Sequence, residues 1–257
     1  MNYQIIRNDI TLMDTDAIVL PANSSLREGT GTSRAIYEKA GRKELEDACL
    51  RYDNVPVGMS VPTLGYNLDA TYIIHSVVPK WRDGKHNEYA LLGSSYLSAL
   101  KAADEMNCRS ISFPLLASGN NGFNLKLAFE IADKAIRSYE PEYDLKTVYL
   151  IVYGMRATQT IRDMGLSIDE KIDQEYVLSH DEGYRRNYRK NHHDRSHSRF
   201  DLNLKAVGDR FDSIGKWMSN PRNQQFILEA GKRIENMVFA GAEIAKVAQK
   251  MMDSNGE

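Results

Sequence analysis

Short apolar, β-rich runs alternate with stretches of helical apolar spacing over the first 155 residues, and this alternation limits the chain to a sheet covered by helices. "YQII" reads as a first strand. "DAIVLPA" (Asp16 to Ala22) is an apolar run ending in a turn. "SRAIYEKAG" has helical spacing at Ala35, Ile36 and Ala40, with Gly41 as its stop. "TYIIHSVVP" reads as a buried strand stopped by Pro79. "EYALLGSSYLSALKAADEM" carries a helical stripe through Leu91, Leu92, Tyr96, Leu97, Leu100 and Ala103. "SISFPLL" is another strand, "LKLAFEIADKAIRSY" an amphipathic helix, and "KTVYLIVYG" a last strand ending at Gly154. The expectation is an α/β fold with helices on both faces of the sheet.

Two strand ends then stand out. In "FPLLASGNNGF" (Phe113 to Phe123) an apolar strand turns abruptly into small polar residues and glycine. In an open α/β sheet, ligands bind where strands run out at their C-terminal ends. A glycine-rich strand-to-helix loop exposes successive N–H groups to an approaching phosphate. Gly119 and Gly122 also serve as ordinary turn residues, so this loop alone leaves both readings open. "LPANSSLREGTGTSRAIYEKAG" repeats the pattern after another strand, with Asn23 at the strand end and Gly29 and Gly31 at a helix N-terminus. Two such loops can clamp a diphosphate. The spacing is neither Gly-Lys-Ser/Thr nor G-x-G-x-x-G, which argues against a P-loop NTPase and a nicotinamide dehydrogenase.

Composition narrows the class further. The formal net charge is −2, so the protein as a whole is not an obvious nucleic-acid or membrane binder. Cys49 and Cys108 have no metal-type spacing around them, and reduced thiols in the cytoplasm are the expectation. The opening stretch "MNYQIIRNDITLMDTD" has no apolar core, so no export signal is expected.

"NDIT", "DAIVLPANSSL", "GTGTSRAIYEKAG", "YIIHSVVPKW" and "SISFPLLASGNNGF" resemble, in order and spacing, the successive motifs of the macrodomain family. The resemblance covers about residues 1–155. It implies a three-layer α/β/α domain with a mixed central sheet. It also implies binding of ADP-ribose or ADP-ribosylated protein, without a metal or a cofactor. Many members hydrolyse ADP-ribose from proteins or deacetylate O-acetyl-ADP-ribose; others only bind. Both classes stay open here. The resemblance places Asp9 at the adenine amino group, with Ile10 beside the base. A carboxylate is acceptor-only, so it selects a purine bearing a donor there. Asn23 becomes the catalytic candidate, orienting the distal ribose. Gly29, Thr30, Gly31, Thr32 and Ser33 fall in the first phosphate loop. Ser118, Gly119, Asn120, Asn121 and Gly122 form the second, and Phe123 packs against the distal ribose.

This sequence also departs from the family. Several hydrolytic members have glycines followed by Val-Asp-Gly in the first loop, where this chain has "EGTGTSR". Glu28 and Thr30 replace glycines, and Ser33 stands where those members place an aspartate that positions water. Arg34 replaces the next glycine. Water held by the substrate phosphate and loop backbone is then the expected nucleophile, and Glu28 is either a substitute carboxylate or a solvated loop residue. His75 is read as an interior histidine rather than a general base. No Ser/His/Asp or Cys/His arrangement and no His/Asp/Glu metal cluster is visible, and the two cysteines are read as packing residues.

The composition changes after this domain, which is expected to span 1–165. A charged linker or arm is expected over 166–205 and a C-terminal α-helical extension over 206–257. "DEGYRRNYRKNHHDRSHSRF" has no aliphatic residues. Arg185, Arg186, Arg189 and Lys190 interleave with Tyr184 and Tyr188, which suits nucleic-acid contact, although a charge run is first of all a solvated segment. Farther on, Ile227, Ala230, Ile234, Met237, Gly241, Ile244, Ala248 and Met251 make the seam of a helix that packs on the domain or on a second copy of the chain. Its small-residue face does not suit a membrane surface.

Overall fold

The computed structural model describes residues 1–181. Strand β1 (Asn2–Arg7) is followed by a 3-10 turn (Ile10–Leu12), β2 (Ala17–Ala22), and helices α1 (Thr32–Ala40) and α2 (Arg42–Cys49). Strands β3 (Ser60–Leu64) and β4 (Tyr72–Val77) lead to α3 (Glu88–Glu105), β5 (Ser110–Pro114) and α4 (Leu125–Ser138). Then come β6 (Thr147–Val152), α5 (Met155–Asp163), β7 (Asp169–Glu170) and α6 (Gln174–His180). The strands form one mixed sheet in the order β3-β4-β2-β5-β6-β1-β7. Only the β3–β4 pair is antiparallel.

The inner strands are apolar on both sides because both faces are covered. Ile18, Val19, Leu20, Ile73, Ile74, Ile111, Phe113, Val148 and Leu150 are all fully buried. Successive side chains of β4 show which helices lie where, since neighbours in a strand point to opposite faces. His75 meets Cys49 of α2, whereas the Ser76 hydroxyl donates to the Ser95 carbonyl of α3 at 2.9 Å. So α2 and α3 cover opposite faces, and the fold has three layers, helix–sheet–helix. Helix α4 starts where the Asn124 side chain accepts from the Lys126 and Leu127 N–H groups. Helix α1 stops at Gly41, whose φ of 103° suits glycine.

His75 is the interior residue the sequence leads one to expect. Its Nε2 lies 2.9 Å from the Thr63 hydroxyl. Burial pushes the imidazole pKa down from 6.5 to about 3. The folded ring therefore stays neutral while the unfolded ring takes up a proton below pH 6.5. Stability from this site is complete above pH 6.5 and falls as the pH drops towards 3. By the same linkage, about 2–3 kcal/mol is expected to be lost between pH 6.5 and 4.5. Urea unfolding at both pH values checks this, and His75→Gln should flatten the difference.

Several elements were not anticipated. Helix α2 grows from "RKELEDAC", a charged run whose only inward residues are Leu45, Ala48 and Cys49. Strand β3 contains Pro62, which an edge strand tolerates. The segment expected to be a linker from residue 166 instead opens with β7 and α6, docked on the β1 edge. Arg7, 2% exposed, donates from Nη1 to Glu170 at 2.8 Å and from Nη2 to the Gln174 side-chain oxygen at 3.0 Å. The expected boundary at 165 thus falls inside continuous packing. The rest of the expected arm and the C-terminal helix lie outside the described residues. Among the described residues, no helix is long and apolar enough to cross a membrane.

Candidate functional site

Strands β2 and β5 are parallel neighbours, with Ala17 opposite Ile111 and Ile18 opposite Ser112. Their C-terminal ends therefore lie side by side, and so do the loops that leave them. This juxtaposition brings together two sequence segments about ninety residues apart.

The first loop is held from beneath. The Asn23 amide donates to the Arg27 carbonyl at 2.8 Å, and its oxygen accepts from the Ser25 hydroxyl and the Arg27 N–H. The Asn23 side chain is exposed at the strand end. Leu26 is buried with a φ of 52°, an uncommon conformation for a non-glycine residue, and the Tyr37 hydroxyl donates to its carbonyl. Ser33 is buried, and its hydroxyl accepts from the Gly29 N–H at 3.0 Å. Ser33 therefore braces the loop from inside rather than pointing to solvent. Gly31, at the α1 N-terminus, has φ 58° and ψ −124°, a conformation that only glycine adopts readily. Thr32 begins the helix. Glu28 pairs with Arg42 at 2.8 Å and lies 3.8 Å from Arg34, so its carboxylate is already engaged.

The second loop is a compact knot. The Ser118 hydroxyl donates to the Leu115 carbonyl, the Gly122 N–H to Gly119, and the Phe123 N–H to Ala117. Ala117 (φ 61°) and Gly122 (φ 79°) both sit in the left-handed region. Both loops thus carry one strained non-glycine residue, Leu26 and Ala117, as functional loops often do. Gly119 and Asn120 are exposed, and the Asn120 amide donates to the Thr30 hydroxyl of the first loop. This contact ties the two loops together.

Phe123 is buried under Trp81, with ring centroids 5.1 Å apart. The Trp81 backbone N–H donates to the Asn121 carbonyl at 2.7 Å. Trp81 belongs to the loop between β4 and α3, a third contributor to the site. Its place as the last residue of the motif "YIIHSVVPKW" is the signal that could have marked it. In the same loop Asp83, His86 and Glu88 bring their polar atoms within 4.8 Å of one another, a cluster the sequence reading did not see. The Glu88 carboxylate is spent on backbone N–H groups, with Oε1 accepting from Arg82, Asp83 and Gly84 and Oε2 from His86. Burial pushes this carboxyl up, but the N–H groups outweigh burial and hold it below the usual carboxylate range. As arranged, the cluster organises the loop.

Asp9 lies at the end of β1, three strand positions from β2. Its Oδ1 accepts from the Thr11 N–H and hydroxyl, so Asp9 caps the 3-10 turn. Its other oxygen accepts from the Tyr176 hydroxyl of α6 at 3.3 Å. Ile10 beside it is buried. Tyr176 had no sequence signal, because it sits in a polar stretch that reads as linker.

The comparisons agree with this arrangement. The Macro domain family profile matches residues 19–132. A Macro domain-containing protein of Listeria monocytogenes is 42% identical over 148 residues, covering 56% of this chain and 84% of that protein. A protein of Escherichia fergusonii named O-acetyl-ADP-ribose deacetylase is 40% identical, over 58% of this chain and 86% of its own length. Among solved structures, an Oceanobacillus iheyensis macrodomain variant with ADPR matches with TM-score 0.58 and 32% identity, covering 62% of this chain and 89% of that one. The Trypanosoma brucei macrodomain in complex with ADP-ribose matches with TM-score 0.55 and 26% identity, covering 64% and 69%. With its motifs on two neighbouring strand ends and a relative of this identity matched over most of its length, the chain belongs to the macrodomain family.

Proposed function

We propose that the cleft above β1, β6, β5 and β2 binds ADP-ribose, and that it hydrolyses O-acetyl-ADP-ribose or ADP-ribosyl linkages on protein. The observation that carries this reading is the pair of loops at neighbouring parallel strand ends, tied through Asn120 and Thr30. In this reading Asp9 and Asn23 stand at opposite ends of the cleft, since they follow β1 and β2, which lie three strand spacings apart. At about 4.8 Å per strand this is roughly 14 Å, a span that suits an extended ligand with a base at one end and a sugar at the other. The diphosphate then sits under the two loops, with Gly29, Thr30, Gly31 and Thr32 on one side and Ser118, Gly119, Asn120, Asn121 and Gly122 on the other. Their backbone N–H groups supply its donors and stabilise charge that develops on the reacting oxygen.

The reaction uses no protein carboxylate as base. Glu28, the one carboxylate between Asn23 and Gly31, is paired with Arg42, and Ser33 is turned inward. Water held between the substrate phosphate and the loop backbone attacks the ester carbonyl, breaking its bond to the ribose oxygen and releasing acetate, or attacks the anomeric carbon, breaking its bond to the protein acceptor. In either case a water proton passes by way of the substrate phosphate to the departing group. Asn23, exposed at the strand end, turns its amide from Arg27 to the ribose hydroxyls. The relative named as a deacetylase supports this choice of chemistry.

The same two facts about Glu28 and Ser33 favour a second reading, a non-catalytic ADP-ribose reader. Incubation with O-acetyl-ADP-ribose and with ADP-ribosylated protein separates the two. The first reading predicts turnover that falls by about 10²–10³ in Asn23→Ala, the usual cost of a lost oriented donor. Binding without turnover by the wild type would leave the reader. Turnover untouched by Asn23→Ala would remove Asn23 from the mechanism.

A further inference from the structure

We infer that Glu88 is a positioning residue for the second loop, acting through Trp81. The inference rests on the reading of the cleft given above. The side chain of Glu88 is 3% exposed, yet among the described residues no cation pairs with it closely. Its nearest ion-pair partner, the His86 ring, is 4.0 Å away. What it holds is backbone. Four N–H groups from residues 82–86 converge on its two oxygens at 2.6–3.3 Å. A buried carboxylate is costly unless its oxygens are satisfied, and here the satisfaction comes from folding one loop into one shape.

That shape fixes Trp81, the residue just before the anchored stretch. Trp81 is packed from two sides. Its ring meets Tyr89 edge-on at 5.4 Å and Phe123 at 5.1 Å. Its backbone N–H donates to the Asn121 carbonyl, and a side chain added at Gly122 would fall 3.6 Å from the Trp81 Cβ. Asn121, Gly122 and Phe123 are the last residues of the second loop. The chain of contact therefore runs from the Glu88 carboxylate to the 82–86 backbone, to Trp81, to the loop over the diphosphate. Glu88 touches no ligand in this arrangement. It decides where the loop that touches the ligand can sit.

Asp104 provides a matched control. It is equally buried, and it anchors another loop in the same way, accepting from the Glu142, Tyr143 and Leu145 N–H groups. That loop leads into the start of β6, at the opposite end of the strands from the cleft. Any effect of a lost carboxylate anchor on stability alone should be shared by the two sites. An effect on the cleft should belong to Glu88.

The test uses the full chain carrying Trp217→Phe, so that Trp81 is the sole tryptophan reporter. Glu88→Ala, Glu88→Gln and Asp104→Ala are compared in it by thermal unfolding, by Trp81 emission and by ADP-ribose titration. Glu88→Ala should weaken ADP-ribose by about 10-fold or more, the scale expected when a site is displaced by a fraction of an ångström to 1 Å. It should also shift Trp81 emission to the red. Glu88→Gln keeps the oxygen that accepts from residues 82–84, so it should restore most of the affinity and emission. It also keeps the test open if the alanine variant does not fold. Asp104→Ala should lower the melting temperature and leave affinity and Trp81 unchanged. Equal loss of affinity in Asp104→Ala and Glu88→Ala would overturn the inference, as would unchanged affinity and emission in Glu88→Ala. If the wild type binds no ADP-ribose, the reading of the cleft fails on its own. Hydrogen exchange at 117–123 then decides the inference, which requires faster exchange in Glu88→Ala than in Asp104→Ala.

Discussion

Replacing Glu170 by alanine is expected to lower the unfolding free energy by about 3 kcal/mol, the low end of the cost of breaking a buried ion pair. The reason lies in Arg7. Its guanidinium is 2% exposed, so its positive charge sits out of reach of water and depends on protein partners. Glu170 supplies the one carboxylate it pairs with among the described residues, at 2.8 Å. Without it the charge keeps only neutral acceptors, the Gln174 side chain and the Tyr153 carbonyl. Those acceptors, and the 30% exposure of the Glu170 side chain, keep the expected loss at the lower end. The double change Arg7→Met with Glu170→Leu should recover much of it, since an apolar pair has no charge to desolvate. Urea unfolding measures both. The ligand site should also respond, because the same contact docks α6, whose Tyr176 hydroxyl reaches Asp9. A loss below 0.5 kcal/mol, ordinary for an exposed pair, would mean that β7 and α6 do not hold on the β1 edge as described.

Gly31→Val is expected to weaken ADP-ribose binding by roughly 10- to 100-fold, which corresponds to about 1–3 kcal/mol of backbone strain. Space does not forbid the change, since nothing lies within 4 Å of where a Cβ would stand. The conformation does. With φ 58° and ψ −124°, a β-branched residue would force the peptide out of its present orientation. That peptide sits at the N-terminus of α1, beside Thr30 and its contact with Asn120. The loop should relax into another shape while the core, which Gly31 does not touch, stays folded. Titration of ADP-ribose beside a melting curve separates the effects. A large fall in melting temperature with unchanged affinity would place Gly31 in the fold rather than in the site.

The strands and long helices of the first 155 residues were legible because each pairs an apolar period with a stop signal, as at Gly41, Pro79 and Gly154. The two loops were legible because glycine after an apolar strand has a physical reason there. What stayed hidden has reasons too. Helix α2 and strand β3 are short and half polar, and their places depend on contacts far along the chain. Helix α6 is defined by a buried arginine at residue 7, which no local window around residue 174 can reveal. Ser33 was read as a site residue because it sits in the right loop, and Glu28 was left as either a substitute carboxylate or a solvated residue. Spacing does not say which way a side chain turns. One turns inward to Gly29, and the other is taken by Arg42. Glu88 read as an ordinary residue at the start of a helix until the backbone around it was seen to close on its carboxylate.

The most direct measurement is calorimetric titration of the full chain with ADP-ribose at low and at high salt. A cleft that recognises a base, a diphosphate and a ribose predicts saturable binding to one site that weakens little with salt, because N–H donors and shape supply most of the recognition. No heat of binding would contradict the account outright. Affinity that collapses as salt rises would contradict it as well, since that is the behaviour of a basic surface holding phosphates by charge.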